Sequence, residues 1–169
     1  MAIQATDLKY YLSGGASNTD PNASLGGAMS STETLTGGLH DLFDTISEDE
    51  TAAGDVEYRC IYAANTSAET GTNARIWIEA NTPSPGSSIR IGLGTAAIDD
   101  DEPTTADEST APAGVTFSAA PIDVDTALTI GDMAAGAIKS VWIERTVTAG
   151  MAAIGNDTMQ LGLRVGSGA

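Results

Sequence analysis

The sequence predicts an all-β protein, an antiparallel β-sandwich of Ig-like or jelly-roll type with an irregular, glycine-rich N-terminal arm. Three observations carry that expectation. Apolar residues alternate with polar ones at a period of two in several short segments, as a strand with one buried face requires. Clusters of Gly, Pro, Asn and Asp separate those segments and read as turns, and several short strands so spaced read as an antiparallel sandwich or barrel. No long stretch of helical periodicity lies between them, which argues against a βαβ arrangement.

Taken in order, Leu8–Leu12 has the composition of a short strand. Residues 13–38 are punctuated by Gly14-Gly15, Asp20-Pro21-Asn22, Gly26-Gly27 and Gly37-Gly38, which favour loop over any regular element. Few large apolar residues anchor this stretch, so it is expected to be mobile in the free protein and to gain order against a partner. Leu39, Leu42, Phe43 and Ile46 follow at i, i+3, i+4 and i+7. That spacing suits two helical turns, while the preceding glycines and the β-branched Thr45-Ile46 equally suit a docked extended segment. Residues 1–50 therefore read as arm and loop, and 51–169 as the sandwich domain.

Within that domain the period is two. Val56, Tyr58, Cys60 and Tyr62 share one face of a strand, as do Ile76 and Ile78, and Ile89, Ile91 and Leu93. Val115 and Phe117, Val141 and Ile143, and Met159, Leu161, Leu163 and Val165 continue the pattern. The expected inter-sheet core is Tyr58, Cys60, Ile76, Ile78, Ile89, Ile91, Val141, Ile143, Leu161 and Leu163. Residues 96–113 break the alternation with Asp99-Asp100-Asp101-Glu102, Asp107-Glu108 and two prolines, and are expected as an acidic surface insertion.

Composition narrows the function. The chain has 23 acidic and 7 basic residues among 169, a formal net charge of −16. Such a surface disfavours nucleic acid, whose binding depends on cationic contacts with phosphates. It equally disfavours an anionic membrane face. No apolar run approaches the roughly 18 residues of a membrane-spanning helix. The N-terminus lacks the basic and apolar regions of a secretory signal. One cysteine, Cys60, excludes an intrachain disulfide, and one histidine, His40, leaves little scope for histidine-based catalysis or metal binding.

The chemistry-bearing residues give no catalytic, cofactor or metal motif. The Asp99–Glu102 run offers hard oxygens that Ca²⁺ prefers, but lacks the alternating spacing that turns carboxylates inward. A solvated acidic loop accounts for it. His40 adjoins Asp41 without a nucleophile elbow in the chain. Cys60, in phase with Tyr58 and Tyr62, reads as a small buried hydrophobe. The sequons at Asn22, Asn65 and Asn156 reflect a surface rich in Asn, Ser and Thr. Trp77 and Trp142 fall opposite the isoleucine faces, where they either lie under a loop or form a contact surface for a protein or a sugar. Arg59, Arg75, Arg90, Arg145 and Arg164 all lie in or beside expected strands. They either pair across strands with Glu57, Glu79 and Glu144 or, with the tryptophans, form a face for another subunit.

Three segments resemble a known group. The opening Asp7-Leu8-Lys9-Tyr10-Tyr11-Leu12-Ser13-Gly14-Gly15 through Gly26-Gly27 is similar to the N-terminus of virion structural proteins of tailed bacteriophages. Gly54-Asp55-Val56-Glu57-Tyr58-Arg59-Cys60-Ile61-Tyr62-Ala63-Ala64-Asn65, followed by Arg75-Ile76-Trp77-Ile78, resembles a second signature of that group. Ser140-Val141-Trp142-Ile143-Glu144-Arg145-Thr146-Val147 with Met159-Gln160-Leu161-Gly162-Leu163 fits as well. The resemblance implies a non-enzymatic particle component, foremost a capsid cement or decoration protein assembled in the host cytoplasm and carried in the virion. Its implied partners are the major capsid protein and neighbouring copies of itself in a homo-oligomer. A tail, adaptor or fibre position is the alternative, and a carbohydrate-binding module using Trp77 and Trp142 is a third.

Overall fold

The computed structural model describes residues 2–152 and 157–167. Seven strands form two antiparallel sheets packed face to face: β1 (Leu8–Leu12), β2 (Asp55–Asn65), β3 (Gly71–Ala80), β4 (Ser87–Leu93), β5 (Leu128–Met133), β6 (Ile138–Val147) and β7 (Gln160–Ser167). One sheet has the order β1-β2-β6-β4 and the other β5-β3-β7. From β2 onward each connection crosses between sheets, so every consecutive pair of strands encloses part of the core. One short helix, α1 (Glu48–Ala53), precedes β2. Ser47 and Glu50 form a reciprocal capping box at its start, which lets so short a helix persist. No helix among the described residues is long and apolar enough to cross a membrane.

The inter-sheet core contains Leu12, Ile61, Ala63, Ile76, Ile78, Ile89, Ile91, Val141 and Ile143, all nearly fully buried. Leu161 and Leu163 of β7 pack against it from the rim and stay partly exposed. The register explains the facing set. Ile61 lies opposite both Leu12 and Val141, and Ile143 lies opposite Ile91.

Two expected core residues prove to face the other way. Tyr58 and Cys60 point to the outer side of the four-stranded sheet, where they cluster with Trp142. The inter-sheet phase of β2 is instead Glu57, Arg59, Ile61 and Ala63. Its two charged members disguise it in sequence. They are tolerated because they pair with each other, and Glu57 pairs also with Arg145 at one end of the sandwich.

Segment 13–38 is not a free arm. It folds back on its own domain through Leu12 N–H to Thr32 O (3.0 Å), Ser30 N–H to Leu12 O (2.7 Å) and Gly15 N–H to Ala28 O (2.9 Å). Ser13, Ser24, Ser30 and Thr34 are buried. Small hydroxyl side chains bonded to the backbone, not large apolar ones, hold it down. Ser30 Oγ and Thr32 Oγ1, for example, both donate to Asn18 O. The Leu39–Ile46 stretch is the docked irregular alternative: Leu42 is buried and Leu39 stands in solvent. Val115–Phe117 is not a strand. The neighbouring Ser118 exchanges two hydrogen bonds with Ile91 at the β4 edge. Strand β5 has little sequence signature, because Gly131-Asp132 inside it reads as a turn.

Candidate functional site

β1 covers only the Ile61–Asn65 half of β2. Beyond it, the β2 edge would expose backbone donors, a liability for any sheet. Cys60 N–H instead donates to Ser24 O and Tyr58 N–H to Glu108 O, each at 2.7 Å. The two long loops, 13–38 and 94–118, thus complete the sheet edge and then cross its outer face.

Their junction is Glu102, which is buried. Its carboxylate accepts from Thr95 N–H and Ala96 N–H (both 2.9 Å), Ser140 Oγ (2.7 Å) and Trp142 Nε1 (3.1 Å). Its backbone N–H donates to the Tyr62 hydroxyl at 2.8 Å, and that hydroxyl donates to Gly27 O at 2.6 Å. Gly27 N–H closes the ring onto Glu102 O at 2.7 Å. The buried Lys139 ammonium donates to Gly94 O and Ala96 O. Burial pushes the Glu102 carboxyl upward, but the donors from Ala96, Ser140, Thr95 and Trp142 outweigh it and hold the group below the usual carboxylate range. Burial pushes the Tyr62 phenol up to about 12. Sequence reasoning places Glu102 in a solvated loop and misses this role. The acidic run around it hides the one member that turns inward.

A second charged cluster closes the far end. Glu57 accepts from Arg145 Nε at 2.5 Å and lies 3.6 Å from Arg59. Arg145 also reaches Asp44 O at 2.8 Å, and Arg59 reaches Glu108 at 2.5 Å and Asn22 Oδ1 at 2.9 Å. Both guanidinium groups lie over the Phe43 ring, at 4.7 Å for Arg145 and 5.5 Å for Arg59. Burial pushes the Glu57 carboxyl upward against the pull of Arg145 and Arg59. Glu50, Asp55 and Glu57 present carboxylate oxygens within 4.8 Å of one another, the one group of described residues close enough to hold a metal ion. Glu57 is already neutralised by arginine, and Glu50 is engaged in capping α1. The cluster is an ion-pair clamp on loops 39–46 and 107–110.

The other sequence candidates disperse. Asp99 has a left-handed backbone, with φ of 69°, and its carboxylate accepts from Ile138 N–H at 2.9 Å. Asp100 and Asp101 are exposed, and Glu102 is turned inward, so the run does not converge on a cation. His40 is exposed and touches Thr45 Oγ1 at 3.3 Å. Cys60 is buried, and burial pushes its thiol upward, away from nucleophilic use. Asn65 is buried and donates to Glu69 O, Met133 O and Ala134 O, while Asn22 serves Arg59. Asn156 lies outside the described residues.

The tryptophans separate. Trp142 is fully buried under the loops, which removes the two-tryptophan sugar platform. Trp77 lies on the outer face of the three-stranded sheet, its ring over Gly162, where an added Cβ would fall 2.1 Å from Cε2. Its indole N–H donates to Glu79 at 2.5 Å. The arginines split likewise. Arg90 grips Glu144 bidentately at 2.6 and 2.7 Å, and Arg59 and Arg145 join the clamp. Arg75 and Arg164 lie directly opposite each other across β3 and β7. An open cleft of about 360 Å³ between β1 and β7 is lined by Leu8, Tyr10, Leu161, Leu163 and Arg164 among others.

No known protein family, no curated protein and no solved structure matches this chain.

Proposed function

We propose that the chain is a structural component of a tailed-bacteriophage particle, foremost a capsid cement or decoration protein that binds the major capsid protein lattice and stabilises the head. The observation that supports this most is where the chain spends its charged and polar groups. The acids and bases at buried positions (Glu57, Arg59, Glu102, Lys139, Glu144 and Arg145) bind one another or backbone, pinning long loops onto a sheet. Such an arrangement stiffens a surface and does not poise a reacting group. The resemblance in the Asp7–Gly27, Gly54–Asn65 and Ser140–Val147 segments supplies the particle. On this reading the protein has no enzymatic turnover and resides in the virion. Its neighbours are the capsid lattice and its own copies.

Copy number in purified particles tests the reading. Hundreds of copies per particle, by quantitative mass spectrometry, are expected of a head protein. A dozen or fewer would move it to the tail or adaptor. Its absence from particles would refute the proposal.

A further inference from the structure

The sandwich is asymmetric. The outer face of the four-stranded sheet is covered by the chain's own loops, and Asp100 and Asp101 stand exposed on that loop layer. Neither carboxylate makes a hydrogen bond or ion pair with any described residue. On the outer face of the three-stranded sheet Arg164 is exposed and Arg75 and Trp77 are half-buried, with residues 121–124 reaching its edge through Pro121 O and Val124 O. There Arg75 and Arg164 stand side by side in direct register, with Trp77 two residues from Arg75 and over Gly162.

Like charges directly opposite on a sheet are destabilising without a counter-charge. The basic residues of the chain number seven. Lys9, Arg59, Arg90 and Arg145 hold carboxylates, and Lys139 is buried against carbonyls. Arg75 and Arg164 remain without an ion pair among the described residues. Arg75 gives one N–H to Val124 O at 3.2 Å, and its buried Nε has no acceptor. The acids nearest in sequence are engaged elsewhere. Glu79 takes the Trp77 indole, Asp132 takes Asn73 N–H, and Asp123 closes a turn on Thr126. In a chain of net charge −16, an unanswered arginine pair is conspicuous.

We infer that the Arg75–Trp77–Arg164 face docks the Asp100–Asp101 loop of a second copy of this chain. The two surfaces are different patches of one chain, and no ion pair among the described residues joins them within it, so the contact is heterologous, head to tail. Carboxylates between the guanidinium groups relieve their mutual repulsion, and Trp77 supplies a flat apolar floor of the kind found at interface centres. The same contact lets strongly acidic copies crowd together, because each meets its neighbour through the neighbour's one basic surface. The inference deepens the reading as an assembling structural protein and rests on it for the copy–copy contact.

Sedimentation of the purified full-length chain over a wide concentration range tests it. Wild type should associate reversibly. R75E/R164E and D100K/D101K should each associate roughly tenfold or more weakly, since each places like charges in contact. All four positions are partly or fully exposed, and unchanged circular dichroism checks that the variants are folded. A 1:1 mixture of R75E/R164E with D100K/D101K should recover association, because the reversed loop meets the reversed face. A wild type that stays monomeric throughout, reversals without effect, or a mixture that fails to recover would overturn the inference. Occupancy on particles is read separately. If these results fail while hundreds of copies per head are found, the docking contact is wrong and the capsid reading stands.

Discussion

Glu102 joins two loops and a sheet through a single carboxylate, so its removal should be felt far from its own position. Glu102→Ala would leave Trp142 Nε1, Ser140 Oγ and two backbone N–H groups without an acceptor, beside a buried Lys139 ammonium. Orphaning a buried charge and its donors costs about 3–5 kcal/mol. Chemical denaturation of the variant measures it. The same group sets a pH dependence. Its folded-state pKa lies below the usual 4.5, so the folded protein holds this proton less readily than the unfolded chain. The stabilisation is therefore complete above pH 4.5 and is lost as pH falls through the depressed folded value. The stability gap between wild type and Glu102→Gln should be constant near neutrality and shrink in acid. A gap that widens in acid would contradict the assigned hydrogen bonds.

The strands were largely legible because alternation is a direct image of the pleat. Ile76 and Ile78, Ile89 and Ile91, and Val141 and Ile143 point where their periodicity places them. Truncating Ile78 to Ala should cost about 2–5 kcal/mol by lost burial and a cavity. Leu161 to Ala should cost less, since Leu161 is already partly exposed at the rim; equal losses would place β7 deeper in the core than it is. The phase of β2 was not legible. Both of its faces are buried, and the apolar set with the cleaner alternation, Tyr58 and Cys60, faces the loop layer. The inner set contains Glu57 and Arg59, whose burial depends on Arg145, 86 residues beyond Arg59 in the chain. No local pattern encodes such a partner. The loop layer was hidden for the same reason, being held by hydroxyls and backbone. Gly26 offers a test of how the two loops fit. Its φ is 95°, and an added Cβ would fall 2.3 Å from Pro103 O. Gly26→Ala should cost about 1–3 kcal/mol by strain and overpacking and should loosen both loops together in hydrogen exchange. Loosening of one loop alone would show that the junction does not couple them.

At the scale of the whole molecule the described residues form three layers: a loop layer, a four-stranded sheet and a three-stranded sheet. The loops are part of the fold. Deleting residues 13–38 should uncover the Tyr58–Cys60–Trp142 cluster, remove the acceptor for Cys60 N–H and prevent stable folding. A truncated chain with native circular dichroism and an unchanged melting temperature would show the segment to be dispensable. One face is covered by the chain's own loops, which suits the proposed role of a rigid subunit in a capsid lattice. The most direct test of that role is to add the purified full-length protein back to phage heads lacking it and to image them by electron microscopy. New density repeating with the capsid symmetry and saturating with added protein is expected of a cement or decoration protein. Bare heads at saturating concentration, or density confined to the tail, would contradict that role.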